Sequence, residues 1–155
     1  MDYVSNTNRD DSLLRNSNIK QDNMKSSLYH LQINVSDPKK SFPFYKDLFG
    51  YFEYMILNES EGHIGFSNGT TDFWFIATDK KFETLHFHRK ATGLNHIAFT
   101  VASKENVDTF VTEFLKPRNI SPLYNSPKAF PEYSPQYYAV FFEDPDRIKI
   151  EVVYK

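Results

Sequence analysis

Leu31, Ile33 and Val35 alternate with His30, Gln32 and Asn34, the period-two pattern of a strand with one face in a core and the other left open. The period then changes. Asp37 and Pro38 read as the N-cap and first residue of a helix, and Phe42, Tyr45, Leu48 and Phe49 give it an apolar stripe at helical spacing. Pro43 is expected to limit or kink that helix and Gly50 to end it. Strands are predicted over 51–57, 63–67 and 73–78, with Asn68-Gly69 as a tight hairpin between the last two. The order then recurs. Ile97, Phe99 and Val101 alternate with His96, Ala98 and Thr100, and Ser103 caps a helix whose stripe is Val107, Phe110, Val111, Phe114 and Leu115, with Pro117 just past its end. A proline-rich stretch over 121–135 precedes strands predicted at 138–142 and 148–154, which the Asp144-Pro-Asp-Arg turn joins.

This recurrence is an internal duplication at a constant offset of 66 residues: His30-Leu-Gln-Ile-Asn-Val lies beside His96-Ile-Ala-Phe-Thr-Val, Phe44 beside Phe110 and Leu48 beside Phe114. A repeat cannot bury its apolar face alone, so the two copies must share a sheet or a cavity. The chain divides into module one at 28–79, a linker at 80–93 and module two at 94–155, which together form a single domain. Residues 1–27, rich in Asn, Asp and Ser with only Ser12-Leu-Leu as a weak apolar cluster, read as a flexible tail.

Composition removes several classes of partner. Lys and Arg number 18 against 20 Asp and Glu, with no arginine-rich run, so nucleic acid and anionic membrane are not expected. No apolar run approaches the roughly 20 residues that span a bilayer, and the start lacks the pattern of a signal peptide, so a cytoplasmic protein is expected. With no cysteine, disulfides and thiolate ligands are excluded.

His30, His96 and Glu151 each stand on the non-core face of a strand, Glu151 because Ile148, Ile150 and Val152 occupy the other face. Two imidazoles and one carboxylate form a triad that holds a divalent metal while leaving positions open for water or substrate. The alternative is three polar residues on wetted strand faces; the duplicated position of the histidines favours the metal. His63, His86 and His88 have no counterpart in the other copy and read as surface or strand-edge residues, with His88 first among them as a site candidate. Tyr138 and Lys149 are further candidates for a catalytic role, Lys149 by its shared face with Glu151 and Tyr138, like Tyr133 and Tyr137, by reaching over a cavity. Each is weighed against ordinary packing or solvation.

These residues, with Phe44-Tyr-Lys-Asp-Leu-Phe-Gly after the first strand, Gly93-Leu-Asn-His-Ile-Ala-Phe at the second and Tyr137-Tyr-Ala-Val-Phe-Phe-Glu-Asp-Pro-Asp near the end, resemble the vicinal oxygen chelate superfamily of glyoxalases, bleomycin-resistance proteins and extradiol dioxygenases. The resemblance covers 28–155. It implies an α+β fold of two βαβββ modules around a cup, with His30, His96 and Glu151 on metal-ligand positions. Glyoxalase-like members have a further carboxylate in the last strand of module one, where this chain reads Phe73-Trp-Phe-Ile-Ala, so a four-ligand site is not expected. Arg147 stands where the family's turn usually has glycine.

The function expected is that of a metal-dependent enzyme, a lyase or isomerase, a dioxygenase or a transferase, acting on a small substrate with vicinal oxygens. Its one divalent metal, Zn, Ni, Mn or Fe, would bind through three protein ligands. The alternative is a metal-free drug- or metabolite-binding protein of the bleomycin-resistance type. A homodimer with shared sites is expected, because the open sheet edges of each module need covering.

Overall fold

Asp37 opens the first helix as its side chain predicts: Oδ1 accepts the amide hydrogen of Lys39 at 3.0 Å, and Pro38, with no amide hydrogen to leave unpaired, takes the first helical position. A computed structural model of the chain describes residues 26–155, so the expected tail at 1–27 lies outside them but for its last two residues. Module one is β1 (His30–Val35), α1 (Pro38–Tyr51), β2 (Met55–Glu59), β3 (His63–Ser67) and β4 (Asp72–Ala77). Module two is β5 (His96–Thr100), α2 (Lys104–Phe110), β6 (Leu123–Ala129), β7 (Tyr138–Glu143) and β8 (Lys149–Tyr154). The two sheets have the same order, β1-β4-β3-β2 and β5-β8-β7-β6, and in each the first strand runs parallel to the last. The fold is α+β, built from two βαβββ units.

Each sheet lays its apolar face on the helices, and the helical sides of both modules merge into one core. Phe49 of α1 stacks on Phe66 of β3 with ring centres 4.7 Å apart and meets Phe99 of β5 edge-on at 5.8 Å. Tyr51 touches Phe110 and Phe114 of the second helix, and Phe52 stacks on Phe110 at 5.5 Å. Edge and offset contacts of this kind add about 1 kcal/mol each to the area they bury. One consequence governs the site: with the helical sides turned towards each other, the sheet faces bearing His30 and His96 both turn outwards.

The β7–β8 turn pins the modules together. Asp144, which is buried, accepts the amide hydrogens of Ile148 at 2.6 Å and Asp146 at 2.9 Å and the hydroxyl of Tyr45 on α1 at 2.5 Å. Asp146 in turn accepts from the Ser36 amide at 3.2 Å and the Ser41 hydroxyl at 3.0 Å. Arg147 sits at φ +66°, the left-handed conformation that would suit glycine, and the bonds on either side of it hold the turn in that shape. Burial raises the Asp144 carboxyl to about 7, against the pull of its three donors.

Several sequence expectations are corrected. Helix α1 runs through Pro43, which is on its exposed face, where water can take the carbonyl that loses its partner, and it passes Gly50 to end at Tyr51. Glu53, at φ +61°, makes the left-handed exit expected of glycine, and β2 therefore starts at Met55. The Asn68-Gly69 turn is a four-residue loop closing the Ser67–Asp72 pair, with the Asn68 side chain accepting from Thr70 and Thr71. The second helix is regular only to Phe110, widens into a π-helical turn at Val111–Leu115 and ends in a tight turn at Lys116–Arg118 that absorbs Pro117. The proline-rich stretch contains a strand, β6, which carries Pro127 on the outer edge of its sheet.

Candidate functional site

The open face of the second sheet is not the wetted polar surface of the alternative reading. Phe130, Ala139, Phe141 and Val153 form a small apolar cluster of their own there, on the side of β7 and β8 away from the main core. Glu151 lies beside it, 1% exposed. Such burial requires partners for a carboxylate, and both oxygens have one: His96 Nε2 is 3.1 Å from Oε2, and the Tyr137 hydroxyl donates to Oε1 at 2.6 Å. The outer ring nitrogen of His96, Nδ1, meets the side-chain oxygen of Asn95 at 2.8 Å. Burial, then the bond to Glu151 and its charge, push the Tyr137 hydroxyl well above the ordinary tyrosine range, so it remains a donor.

Around this pair the sheet and the β6–β7 connection border a half-open cavity of about 690 Å³. Tyr124, Phe130, Tyr133, Tyr137 and Phe141 supply its aromatic walls, and Lys149 is next to His96 in the β5–β8 register. The Lys149 ammonium stands 5.7 Å from the Tyr124 ring centre and 5.5 Å from that of Phe141. The volume falls within the range of ordinary small-molecule sites.

Of the three residues expected to hold a metal, His96 and Glu151 are adjacent and His30 is on the other sheet. It is exposed at the start of β1, edge-on to Tyr29 at 5.3 Å and paired with Asp72. Among the described residues, no group of three or more His, Asp or Glu side chains is gathered closely enough to hold a metal within one chain. Tyr138 is not at the site: its hydroxyl donates to Asp108 of α2 at 2.9 Å, on the helical side, because neighbouring residues of β7 face opposite ways. His88 is exposed and its ring accepts the Lys90 amide hydrogen, whereas His63 is held between Ser60 and Asn58 on the first sheet. His86 is also exposed. Lys149 does line the cavity.

Sequence reasoning missed Asn95, Tyr124, Phe130 and Phe141. For Asn95 the signal was available, an amide directly before the strand histidine. For Tyr124 and Phe130 it was hidden by the prolines around them.

The duplicated βαβββ units and the His96–Glu151 pair define a class, and comparison with known proteins agrees. The chain belongs to the Glyoxalase/Bleomycin resistance protein/Dioxygenase superfamily, whose family model matches residues 27–152. It is 36% identical to the uncharacterized protein YqjT of Bacillus subtilis over 132 residues, covering 81% of this chain and 97% of that protein. Among solved structures it resembles a putative glyoxalase from Bacillus halodurans, at TM-score 0.76 and 40% identity over 83% of this chain and 96% of the other. The fold is also that of the fosfomycin resistance protein FosX of Listeria monocytogenes, solved as a mutant with Mn(II) and 1S,2S-dihydroxypropylphosphonic acid. That match has a TM-score of 0.59 and 22% identity and covers 83% of this chain and 90% of that one.

Proposed function

We propose that the chain is a metal-dependent enzyme acting on a small substrate with vicinal oxygens. In this reading His96 and Glu151 of one subunit hold a divalent metal together with His30 of the partner subunit in a homodimer. The observation that carries it is the His96–Glu151 pair, a buried carboxylate against a partly exposed imidazole. An imidazole nitrogen and a carboxylate oxygen face each other at 3.1 Å, and each group is steadied from behind, by Asn95 and by Tyr137. Backing partners of this kind orient ligands and fix which ring nitrogen carries the proton. The nitrogen and oxygen donors suit first-row divalent metals, and the superfamily neighbour solved with Mn(II) supports the cofactor class. His30 stands on an outward sheet face of its own, which is why the reading needs a second copy.

When bound, the metal would act as a Lewis acid for the charge that develops on the substrate's oxygens. The chain's own groups hold and orient: Tyr137 restrains Glu151, the aromatic walls limit water, and Lys149 presents a positive charge at the mouth. A cytoplasmic setting belongs to the same reading; no helix among the described residues is long and apolar enough to cross a membrane.

Elemental analysis of protein purified without chelators tests the proposal, with about one transition metal per subunit expected. His30→Ala, His96→Ala and Glu151→Gln should each lose most of it, because three ligands leave no redundancy, while His63→Ala should keep it. Full occupancy in the Glu151→Gln protein would contradict the triad. The second reading, a metal-free binder, is favoured by the aromatic walls, and it prevails if no variant and no wild-type preparation takes up metal.

A further inference from the structure

The duplication can be followed beyond the histidines through the strand registers. On β8, Lys149 pairs with His96 and Glu151 with Ala98; on β4, Asp72 pairs with His30 and Trp74 with Gln32. Trp74 is therefore the counterpart of Glu151 in module one, on the face away from Phe73 and Phe75, which are in the core. Its ring lies flat on the sheet over Gly65: a Cβ there would come within 2.6–2.8 Å of three ring atoms, so only glycine leaves room for the plate. Where one copy of the repeat has a carboxylate, the other has the chain's single tryptophan, laid down as a platform.

The second sheet offers matching chemistry. Its cavity has aromatic walls, one carboxylate, Glu151, whose oxygens are engaged by His96 and Tyr137, and one ammonium group, Lys149, which stands over two of the rings; no carboxylate among the described residues forms an ion pair with Lys149. Rings select flat π systems by offset and edge contacts, and an ammonium at the mouth of an apolar site selects an anion.

We propose that this site takes a flat aromatic anion, its rings against Tyr124, Phe130 and Phe141, its charge at Lys149, and its other face covered by Trp74 of the partner subunit. The inference deepens the proposed function by naming the substrate class, and the covering wall rests on the shared cup. The walls of the second sheet and Lys149 do not depend on the metal.

The test uses the full chain and three probes by calorimetric titration: 2-naphthoate, cyclohexanecarboxylate, which has the charge without the aromatic plane, and 2-naphthamide, which has the plane without the charge. Naphthoate should bind about fivefold more tightly than the saturated acid and about tenfold more tightly than the amide. Lys149→Met should abolish the second preference and leave the first. Tyr124→Leu, at a half-exposed position, should reduce the first and leave the second. Trp74→Leu should also reduce the first preference. Equal binding of the three probes, no binding of any, or preferences unmoved by all three substitutions would overturn the proposal; a Trp74 variant alone without effect would overturn the partner wall. Running the series on wild-type protein before and after dialysis against a chelator, with metal content measured on the same samples, separates this inference from the metal reading, since the preferences should survive removal of the metal.

Discussion

Glu151 keeps both carboxylate oxygens engaged in an almost fully buried position, and the hydroxyl of Tyr137 is the group that frees the other oxygen to face His96. Under the proposed metal reading, Tyr137→Phe should weaken metal affinity by about tenfold while leaving the fold intact, because groups behind a ligand typically carry effects of that size. Competition against a chelating dye measures the affinity, and thermal unfolding checks the fold; unchanged affinity would remove Tyr137 from the site. Asp144 supports a second prediction. Its carboxyl is raised by burial from an ordinary 3.8 to about 7, so the folded chain holds this proton more tightly than the unfolded one. The stabilisation tied to it is complete below about 4 and is lost as pH rises through about 7. Stability should therefore fall between those limits, and Asp144→Asn should flatten the slope, as followed by urea unfolding across pH.

At the scale of elements, the parts that the sequence announced were those in which one rule acted alone. Alternation around His30 and His96 and the caps at Asp37 and Ser103 depend on neighbours in the chain, and the structure bears them out. Strand β6 was not legible because Pro127 and the left-handed Tyr124 and Asn125 break the alternation, and the register slips between Leu123 and Lys128. That irregular edge carries Tyr124 and leads into Phe130, so those two walls were hidden along with it, whereas Tyr133 and Tyr137 were already candidates. The pairing of His96 with Glu151 was legible from face parity; the separation of His30 from them within one chain is what the expected shared sites require, although parity alone does not give it, since it depends on how two modules pack. Helix α1 shows tertiary packing overriding propensity at Pro43. Because that residue is exposed, Pro43→Ala should restore a helical bond without disturbing the core and raise stability by about 2 kcal/mol. A lower unfolding midpoint in urea for this variant would show that the proline has a packing role.

For the molecule as described over 26–155, the joined helical core and the Asp144 and Asp146 bonds tie the two modules together and leave an outward sheet face on each. One face has His96, Glu151, Lys149 and aromatic walls; the other has His30 and the Trp74 plate. In the proposed homodimer these faces of two copies close on each other as half-cups, and a two-fold arrangement would cover both sites at once. The measurement that bears on this most directly mixes His30→Ala protein with Glu151→Gln protein under conditions in which mass spectrometry proves subunit exchange. The His30 variant supplies His96 and Glu151, and the other supplies an intact His30, so each heterodimer should regain one complete triad and bind one metal although neither parent does. No recovery of metal binding despite proven exchange would contradict a site shared between subunits.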